Sequence, residues 1–214
     1  EDSLRRALDI AGLRPEDLEL VIPHQANQRI IDATRERLGM PAIAVTDHGN
    51  TFGAYEFYKA GRASSVKPII GIEAYLTPKT HRSERRRVLW GEGGSDDVSG
   101  GGAFTHLTLW AEDTPGMHNL FRLSSLASLE GYFYKPRMDR ELLATYAKGL
   151  IATTGCPSGE VQTYLRLGKY DEAIASAAEF RDIFGAENYY VELMDHGLSI
   201  QSRVRDDLLK IARE

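Results

Sequence analysis

The sequence has a single cysteine, Cys156, so no disulfide can form within the chain. Such sparing use of cysteine is typical of proteins in a reducing compartment, and we expect a cytoplasmic protein. No apolar run approaches the roughly 18 residues that a membrane-spanning helix requires, so no membrane association is expected. The opening segment, EDSLRRALDIAGLRPEDLEL, is acidic and amphipathic, which is unlike a secretory signal.

An excess of positive charge is also missing. The chain carries 26 lysines and arginines against 31 aspartates and glutamates, a net charge of −5. This balance gives no global attraction to nucleic acid, so any contact with DNA would have to be local. A hydrophobic content of 42% and a charged content of 27% are those of a globular protein.

Short apolar runs alternate with helical patterns along most of the chain. The predicted strands are residues 18–22, 42–46, 68–76, 104–111, 149–153 and 189–194. The predicted helices are residues 3–11, 27–38, 51–63, 117–129, 140–147, 159–167, 171–184 and 200–213. This alternation favours an α/β fold with a parallel sheet or barrel, in which functional groups gather at the carboxyl ends of the strands.

The segment 78–103 interrupts the alternation and predicts a long exposed loop, because it is rich in arginine and then in glycine. Its arginines, at positions 82, 85, 86 and 87, are candidate phosphate contacts, although a solvated charge run is the commoner explanation of such a pattern.

Metal-capable side chains lie near the ends of several predicted strands. They are Asp47, His48, Glu73, His106 and Cys156. Imidazole, carboxylate and thiolate groups all bind first-row metals, and groups from several strands can converge at the mouth of a barrel. Glu73 is the most informative, because a carboxylate within PIIGIEAYL is costly unless it is paired or bound to a cation. The alternatives are a hydrogen-bonded core histidine and a cysteine that acts as a small hydrophobe.

From about residue 38 to its end, the sequence resembles the PHP (polymerase and histidinol phosphatase) domain at the amino terminus of bacterial DNA polymerase III alpha subunits, actinobacterial forms above all. The stretches that carry the resemblance are RLGMPAIAVTDHGNTFGAYEFYKA, KPIIGIEAYLTP, DDVSGGGAFTHLTLWAEDTPGMHNLFRLSS, ATTGCPSGEVQTYLRLG and ENYYVELMDHGL. The resemblance implies a distorted, seven-stranded β/α barrel with up to three metal ions at its mouth. In some members this cluster performs 3′–5′ proofreading exonuclease chemistry, and in others it supports the polymerase structurally.

The resemblance also assigns roles to individual residues. It implies metal ligands at His48, Glu73, His106 and Cys156, which would hold zinc, manganese or magnesium to activate water and clamp a scissile phosphate. The implied partners are a DNA 3′ end and the remaining domains or subunits of the polymerase III holoenzyme.

Four further residues receive subsidiary predictions. Asp47 and Asn50 are expected to shape the turn after the second predicted strand, through bonds from side chain to backbone. Lys135 and Arg137, in YKPRMDRE, are candidate phosphate contacts, with ion pairs to the acidic residues of the same stretch as the favoured alternative.

Two family motifs are missing from this sequence. The family opens with His-x-His followed by an aspartate, and it closes its metal cluster with Asp-x-His on a later strand. His196, in MDHGL, belongs to a different motif. We therefore expect a barrel that is incomplete at both ends, with residues 40–214 forming a PHP domain truncated before its last metal motif.

Residues 1–39 resemble a different family, β-ketoacyl-acyl-carrier-protein synthase III, most specifically in PHQANQRIIDA. The resemblance implies that His24 derives from a Cys-His-Asn catalytic set, with Asn50 of GNT near the position of its asparagine. We expect a fragment or chimera rather than a refined fusion, because each part lacks essential residues. Residues 1–39 could fill the first strand-helix unit of the barrel, with His24 as a surrogate ligand or simply a hydrogen-bonded side chain.

The leading hypothesis is the PHP domain of a replicative DNA polymerase III alpha subunit, of the metal-dependent phosphoesterase and 3′–5′ exonuclease class. By resemblance it is part of a nucleotidyltransferase involved in DNA replication. The alternatives are a non-catalytic domain that supports the polymerase and a fragment of a β-ketoacyl synthase III.

Overall fold

The computed structural model describes residue 14, residues 41–90 and residues 99–214. The predicted strand at 18–22, the predicted helices at 3–11 and 27–38, and His24 lie outside the described residues. The boundary predicted between residues 39 and 40 therefore remains a prediction.

Strands and helices alternate through the described residues as the sequence pattern indicates. The strands are β1 (Ala42–His48), β2 (Lys67–Leu76), β3 (Thr105–Ala111), β4 (Arg137–Met138), β5 (Leu150–Thr153) and β6 (Tyr189–Tyr190). The helices are α1 (Ala54–Ala63), α2 (Thr114–Glu130), α3 (Arg140–Tyr146), α4 (Glu160–Arg166), α5 (Tyr170–Phe184) and α6 (Ser199–Ile211), with short 3₁₀ turns at Ser99–Gly102 and Ala186–Asn188. None of the described helices combines the length and apolarity needed to cross a membrane.

Among the element boundaries that differ from the prediction, two have a clear local reason. Helix α2 begins three residues early because the Asp113 side chain accepts a hydrogen bond from the Gly116 N–H and a proline lies in the first turn. Strand β6 ends at Tyr190 rather than at residue 194, because the Glu192 N–H donates to the Thr154 hydroxyl instead of to a strand carbonyl.

The predicted α/β class is confirmed, but the expectation of a parallel sheet is wrong. The strand order is β1-β2-β3-β5-β6, and β4 pairs with the end of β2. β3 runs antiparallel to both β2 and β5, while the other pairs are parallel. A parallel step needs a crossover helix, and the described residues between β2 and β3 contain only a short 3₁₀ turn. The described sheet is open, since no described strand joins β6 to β1, and it is consistent with a distorted, incomplete barrel.

The strands separate core side chains from polar ones by simple alternation. Ile43 and Val45 of β1, and Ile70 and Ile72 of β2, lie in the core with the apolar sides of helices α2, α3 and α5. The intervening residues project to the opposite face of the sheet, and Glu73 is among them. Helices α4, α5 and α6 enclose a second, smaller cluster. The face away from the main core is therefore the one that carries the candidate ligands.

Gly71 fixes how closely β2 and β3 approach. A Cβ atom added there would lie 2.4 Å from the carbonyl oxygen of Leu109 and 2.5 Å from the ring of Trp110. We expect Gly71→Ala to lower the free energy of unfolding by about 3 kcal/mol, measured by urea denaturation, because the two strands must move apart.

Gly168→Ala is the control for this prediction. Its position has open space around the added atom, so only its positive φ of 71° opposes the change. That variant should lose about 1–2 kcal/mol. Equal losses for both variants would contradict the packing explanation of Gly71.

Candidate metal centre

The sheet register brings three of the predicted ligands to one edge. His48, the last residue of β1, pairs directly with Glu73 of β2, and Tyr75 of β2 pairs with His106 of β3. His106 is near the start of its strand, so it reaches this edge only because β3 is antiparallel. In the parallel sheet expected from the sequence, it would have lain at the opposite edge.

Cys156 reaches the same place through the turn after β5. Gly155, with φ of 79°, reverses the chain, and the Ser158 N–H points at the Cys156 sulfur at 3.4 Å. The Ser158 carbonyl in turn accepts a hydrogen bond of 3.0 Å from the His106 N–H, which ties the turn to β3. The position of the thiol is thus fixed by backbone contacts to the strand that carries His106.

The four side chains meet around the Glu73 carboxylate. Its Oε1 lies 2.6 Å from His106 Nδ1 and 3.3 Å from Cys156 Sγ, and its Oε2 lies 3.6 Å from His48 Nε2. Cys156 Sγ is 3.5 Å from His106 Nδ1. The structure therefore places His48, Glu73, His106 and Cys156 together, and their binding of a metal remains a prediction.

The electrostatics of this cluster favour an anionic carboxylate beside neutral sulfur. Burial raises the pKa of Glu73, but the hydrogen bond and charge of His106 and the charge of His48 outweigh it and hold that pKa below its usual value. Burial, together with the Glu73 charge, raises the pKa of Cys156 to about 12. An ionised carboxylate only accepts hydrogen bonds, so His106 Nδ1 carries the proton between them.

The donor set fits a divalent cation. Ions bound by nitrogen, oxygen and sulfur at about 2.0–2.3 Å have ligand atoms roughly 3.3–3.7 Å apart in a tetrahedral arrangement. One ligand atom from each of His48, Glu73 and His106 lies within 4.8 Å of the others. Cys156 Sγ adds contacts of 3.3 Å to Glu73 and 3.5 Å to His106, which are in the tetrahedral range. The contact of 2.6 Å from His106 to Glu73 is a hydrogen bond, which a bound cation would replace. Cation binding would also favour the thiolate of Cys156.

The turn after β1 is held by the two side chains predicted to shape it. Asp47 Oδ2 accepts a hydrogen bond of 2.6 Å from the Gly53 N–H, and Asn50 Oδ1 accepts one of 2.7 Å from the Thr51 N–H. Both bonds run from backbone to side chain, as the turn-shaping role requires. These bonds hold the turn that follows the strand carrying His48.

Arg137 is wrongly predicted as a phosphate contact. Its side chain is fully buried, and its guanidinium donates to backbone carbonyls rather than to the nearby acidic residues. The acceptors are the carbonyl oxygens of Gly131, Ala103, Arg82 and Glu84. Each of its three guanidinium nitrogens therefore donates to a backbone carbonyl of this chain. Lys135, two residues earlier, is exposed, and its role stays a prediction.

Two residues near the centre escaped the sequence analysis. The Tyr75 ring stacks on His48 at 5.9 Å between ring centres and meets the His106 ring edge-on at 5.1 Å. Glu192 accepts a hydrogen bond from the Thr153 hydroxyl, and burial, with the Glu73 charge added, raises the pKa of Glu192. Like Glu73, Glu192 is a carboxylate within an apolar stretch, YYVELM, and the same sequence signal could have identified it.

A second group of metal-capable side chains lies elsewhere and has a different character. His81 Nε2 lies 3.8 Å from Asp139 Oδ2 and 3.7 Å from Glu141 Oε2. The guanidinium of Arg82 already binds Asp139 at 3.1 Å, and the Leu142 N–H donates to the same carboxylate. These groups are an ion-pair network that begins helix α3 rather than a vacant ligand set.

The family model of the PHP domain matches residues 28–196, and this range includes the four clustered side chains. The chain therefore belongs to the PHP domain family. The match begins inside the segment predicted to resemble a β-ketoacyl synthase, and the comparisons give no support to that alternative.

The particular similarity is to DNA polymerase III alpha subunits, as the resemblance predicted. The chain is 58% identical over 191 residues to the subunit of Saccharopolyspora erythraea and 59% identical over 181 residues to that of Mycobacterium tuberculosis. These alignments cover 85% and 83% of this chain but only 16% and 15% of the two relatives. A crystal structure from Bifidobacterium adolescentis, of a proposed metal-dependent phosphoesterase, is similar at a TM-score of 0.48 and 13% identity, over 91% of this chain and 81% of that one.

Proposed function

We propose that the cluster of His48, Glu73, His106 and Cys156 binds a divalent cation and hydrolyses phosphodiester bonds at DNA 3′ ends, as a 3′–5′ exonuclease. The observation that supports this most strongly is the buried, anionic Glu73 with three further donors around it. Within the described residues, no lysine or arginine forms an ion pair with Glu73, and its side-chain contacts are with His48, His106 and Cys156.

Each residue of the cluster would have a separate role. Glu73 supplies negative charge at the centre, while His48 and His106 approach it from the neighbouring strands. Cys156 adds a donor that becomes anionic only beside a positive charge. The Tyr75 ring packs against both histidines and restricts their rotation. The chemistry that a divalent ion supplies in such a site is a water of lowered pKa and positive charge opposite a phosphate.

The wider setting is also a proposal, because the chain spans only 15–16% of the length of these relatives. We infer that it works inside a replicative polymerase in the bacterial cytoplasm. The nucleotidyl transfer itself would belong to other parts of such a protein. Zinc, manganese and magnesium are all compatible with the donor types, and the mixed nitrogen and sulfur set favours zinc.

A second candidate function is structural support for the polymerase. It is favoured by the small number of donors among the described residues of the cluster, because four are fewer than a three-metal cluster needs. In that case the cation would cross-link β1, β2, β3 and the turn after β5 without promoting hydrolysis.

Metal analysis combined with a nuclease assay separates the two functions. The purified chain, dialysed against zinc or manganese and then desalted, should retain at least one equivalent of metal by atomic emission. It should then shorten a 5′-labelled single-stranded oligonucleotide from its 3′ end, and EDTA should stop this. Retained metal without shortening would support the structural role, and no retained metal would contradict both.

A further inference from the structure

A loop at residues 131–136, GYFYKP, borders the candidate metal centre. The ammonium group of Lys135 lies 5.4 Å from the centre of the Tyr75 ring. The same ring stacks on His48. One aromatic ring therefore separates an exposed cation from the first of the clustered histidines.

The loop presents a second aromatic ring beside this cation. Tyr134 is 59% exposed, and its ring lies 5.0 Å from the guanidinium of Arg87 and 4.5 Å from the Phe133 ring. Its backbone has φ of 62°, a conformation that a bulky residue adopts only at a cost. Such strain is commonly found at functional sites. We name Arg87, Tyr134 and Lys135 the aromatic strip, with the buried ring of Tyr75 beneath Lys135.

The charges of the strip point to an anionic ligand. Among the described residues, neither Arg87 nor Lys135 has a carboxylate within 4.0 Å. Both differ in this from the neighbouring Arg82 and Arg86, which pair with Glu130 and Glu84. In a chain of net charge −5, two exposed cations that have no acidic partner in the part of the chain that the structure describes form a local positive surface.

We propose that the aromatic strip binds the unpaired nucleotides at the end of a nucleic acid strand, with a base stacked on Tyr134 and phosphates beside Arg87 and Lys135. Exposed aromatic rings interleaved with cations are how proteins hold single strands without reading sequence. Paired bases cannot stack in this way, so the strip selects unpaired ends. From Tyr134 the nucleic acid strand passes Lys135, which covers the buried Tyr75 ring, and reaches His48 on the other side of that ring. This inference rests on the proposed function, because it takes the cluster to act on such ends.

Binding measured without metal tests the strip separately from hydrolysis. The probe is a short, 5′-fluorescein-labelled oligothymidylate, followed by fluorescence anisotropy in EDTA with the 214-residue chain. Tyr134→Leu should weaken binding at least about fivefold, whereas Tyr134→Phe, which keeps the ring, should bind like wild type. Lys135→Ala should reduce the slope of log affinity against log salt by about 0.7.

Lys148→Ala is the matched control. Lys148 is also exposed, but it precedes β5, whereas Cys156 follows that strand, so the two lie toward opposite edges of the sheet. Its loss should leave both affinity and salt slope near the wild-type values. A blunt duplex of the same length should bind more weakly than the single strand.

Three results would overturn the proposal. The first is that Tyr134→Leu and Lys135→Ala both bind the oligonucleotide as tightly as the wild-type chain does. The second is that duplex and single strand bind equally well, and the third is that the wild-type chain does not bind at all. The first would leave the strip as a contact for another protein domain. If the variants lose binding while the metal-loaded chain hydrolyses nothing, the strip stands and the proposed exonuclease fails. Hydrolysis that continues with unchanged binding in the variants would refute the strip alone.

Discussion

Glu73→Gln is expected to weaken zinc binding by at least about 100-fold. Loss of an outer partner of a ligand already costs about 10–100-fold, and Glu73 is the anionic centre of the cluster itself. Glutamine has the same shape, and its carbonyl oxygen can still accept the hydrogen bond from His106 Nδ1. The variant should therefore fold while losing the charge that attracts the cation. Competition with a chromophoric chelator gives the affinity.

Glu141→Gln is the control that assigns the effect to the right group. Glu141 belongs to the ion-pair network around Asp139, and its side chain is exposed. Its substitution should leave zinc affinity within about twofold of wild type, because an exposed carboxylate beside Arg82 contributes little. If Glu141→Gln lost the zinc and Glu73→Gln kept it, the metal centre would lie at the beginning of helix α3.

A melting experiment supplies a readout that does not depend on the chelator. Zinc at 100 times its dissociation constant should stabilise the wild-type chain by about 2.7 kcal/mol, and the same concentration should barely affect Glu73→Gln. Similar melting curves of the two proteins in EDTA would show that the variant is folded. A zinc-induced shift of equal size in both proteins would contradict a ligand role for Glu73.

Alternation within strands made much of the fold predictable from sequence. A period of two places Ile70 and Ile72 in the core and Glu73 on the opposite face, so a buried carboxylate in an apolar run is a recognisable signal. The direction of β3 was not predictable in this way, because alternation is the same in parallel and antiparallel strands. His106 lies early in its strand, as predicted, and it reaches Glu73 only because β3 is antiparallel to β2.

Local sequence also did not predict which charged side chains are buried, because contacts between distant parts of the chain decide this. Arg137 follows Lys135 in a short basic stretch, and the local sequence does not distinguish a buried cation from an exposed one. Its four acceptors come from residues as far as 55 positions away, which only the folded chain brings together. The loop predicted at 78–103 is likewise anchored by such contacts, since Arg82 binds Asp139 and Glu130.

Arg137→Ala is expected to lower the free energy of unfolding by about 3–4 kcal/mol, the largest stability loss among the substitutions considered. The change leaves several backbone carbonyls without their donors, at about 1–3 kcal/mol for each one that water cannot reach. It also removes a fully buried side chain from between β4, the Ala103 backbone and the loop that follows β2. At about 2–4 °C per kcal/mol for a chain of this size, the melting temperature should fall by roughly 10 °C.

Two further variants make this prediction decisive. Arg137→Lys keeps the charge but replaces a planar fork of five donors by one ammonium group, so its stability should lie between wild type and Arg137→Ala. Arg86→Ala removes an arginine whose side chain is 61% exposed and which pairs with Glu84 at 2.7 Å. Such a surface pair contributes about 0–1 kcal/mol. If Arg86→Ala and Arg137→Ala melted at the same temperature, Arg137 would not hold the loop to the sheet, and a phosphate-binding role for it would again be open.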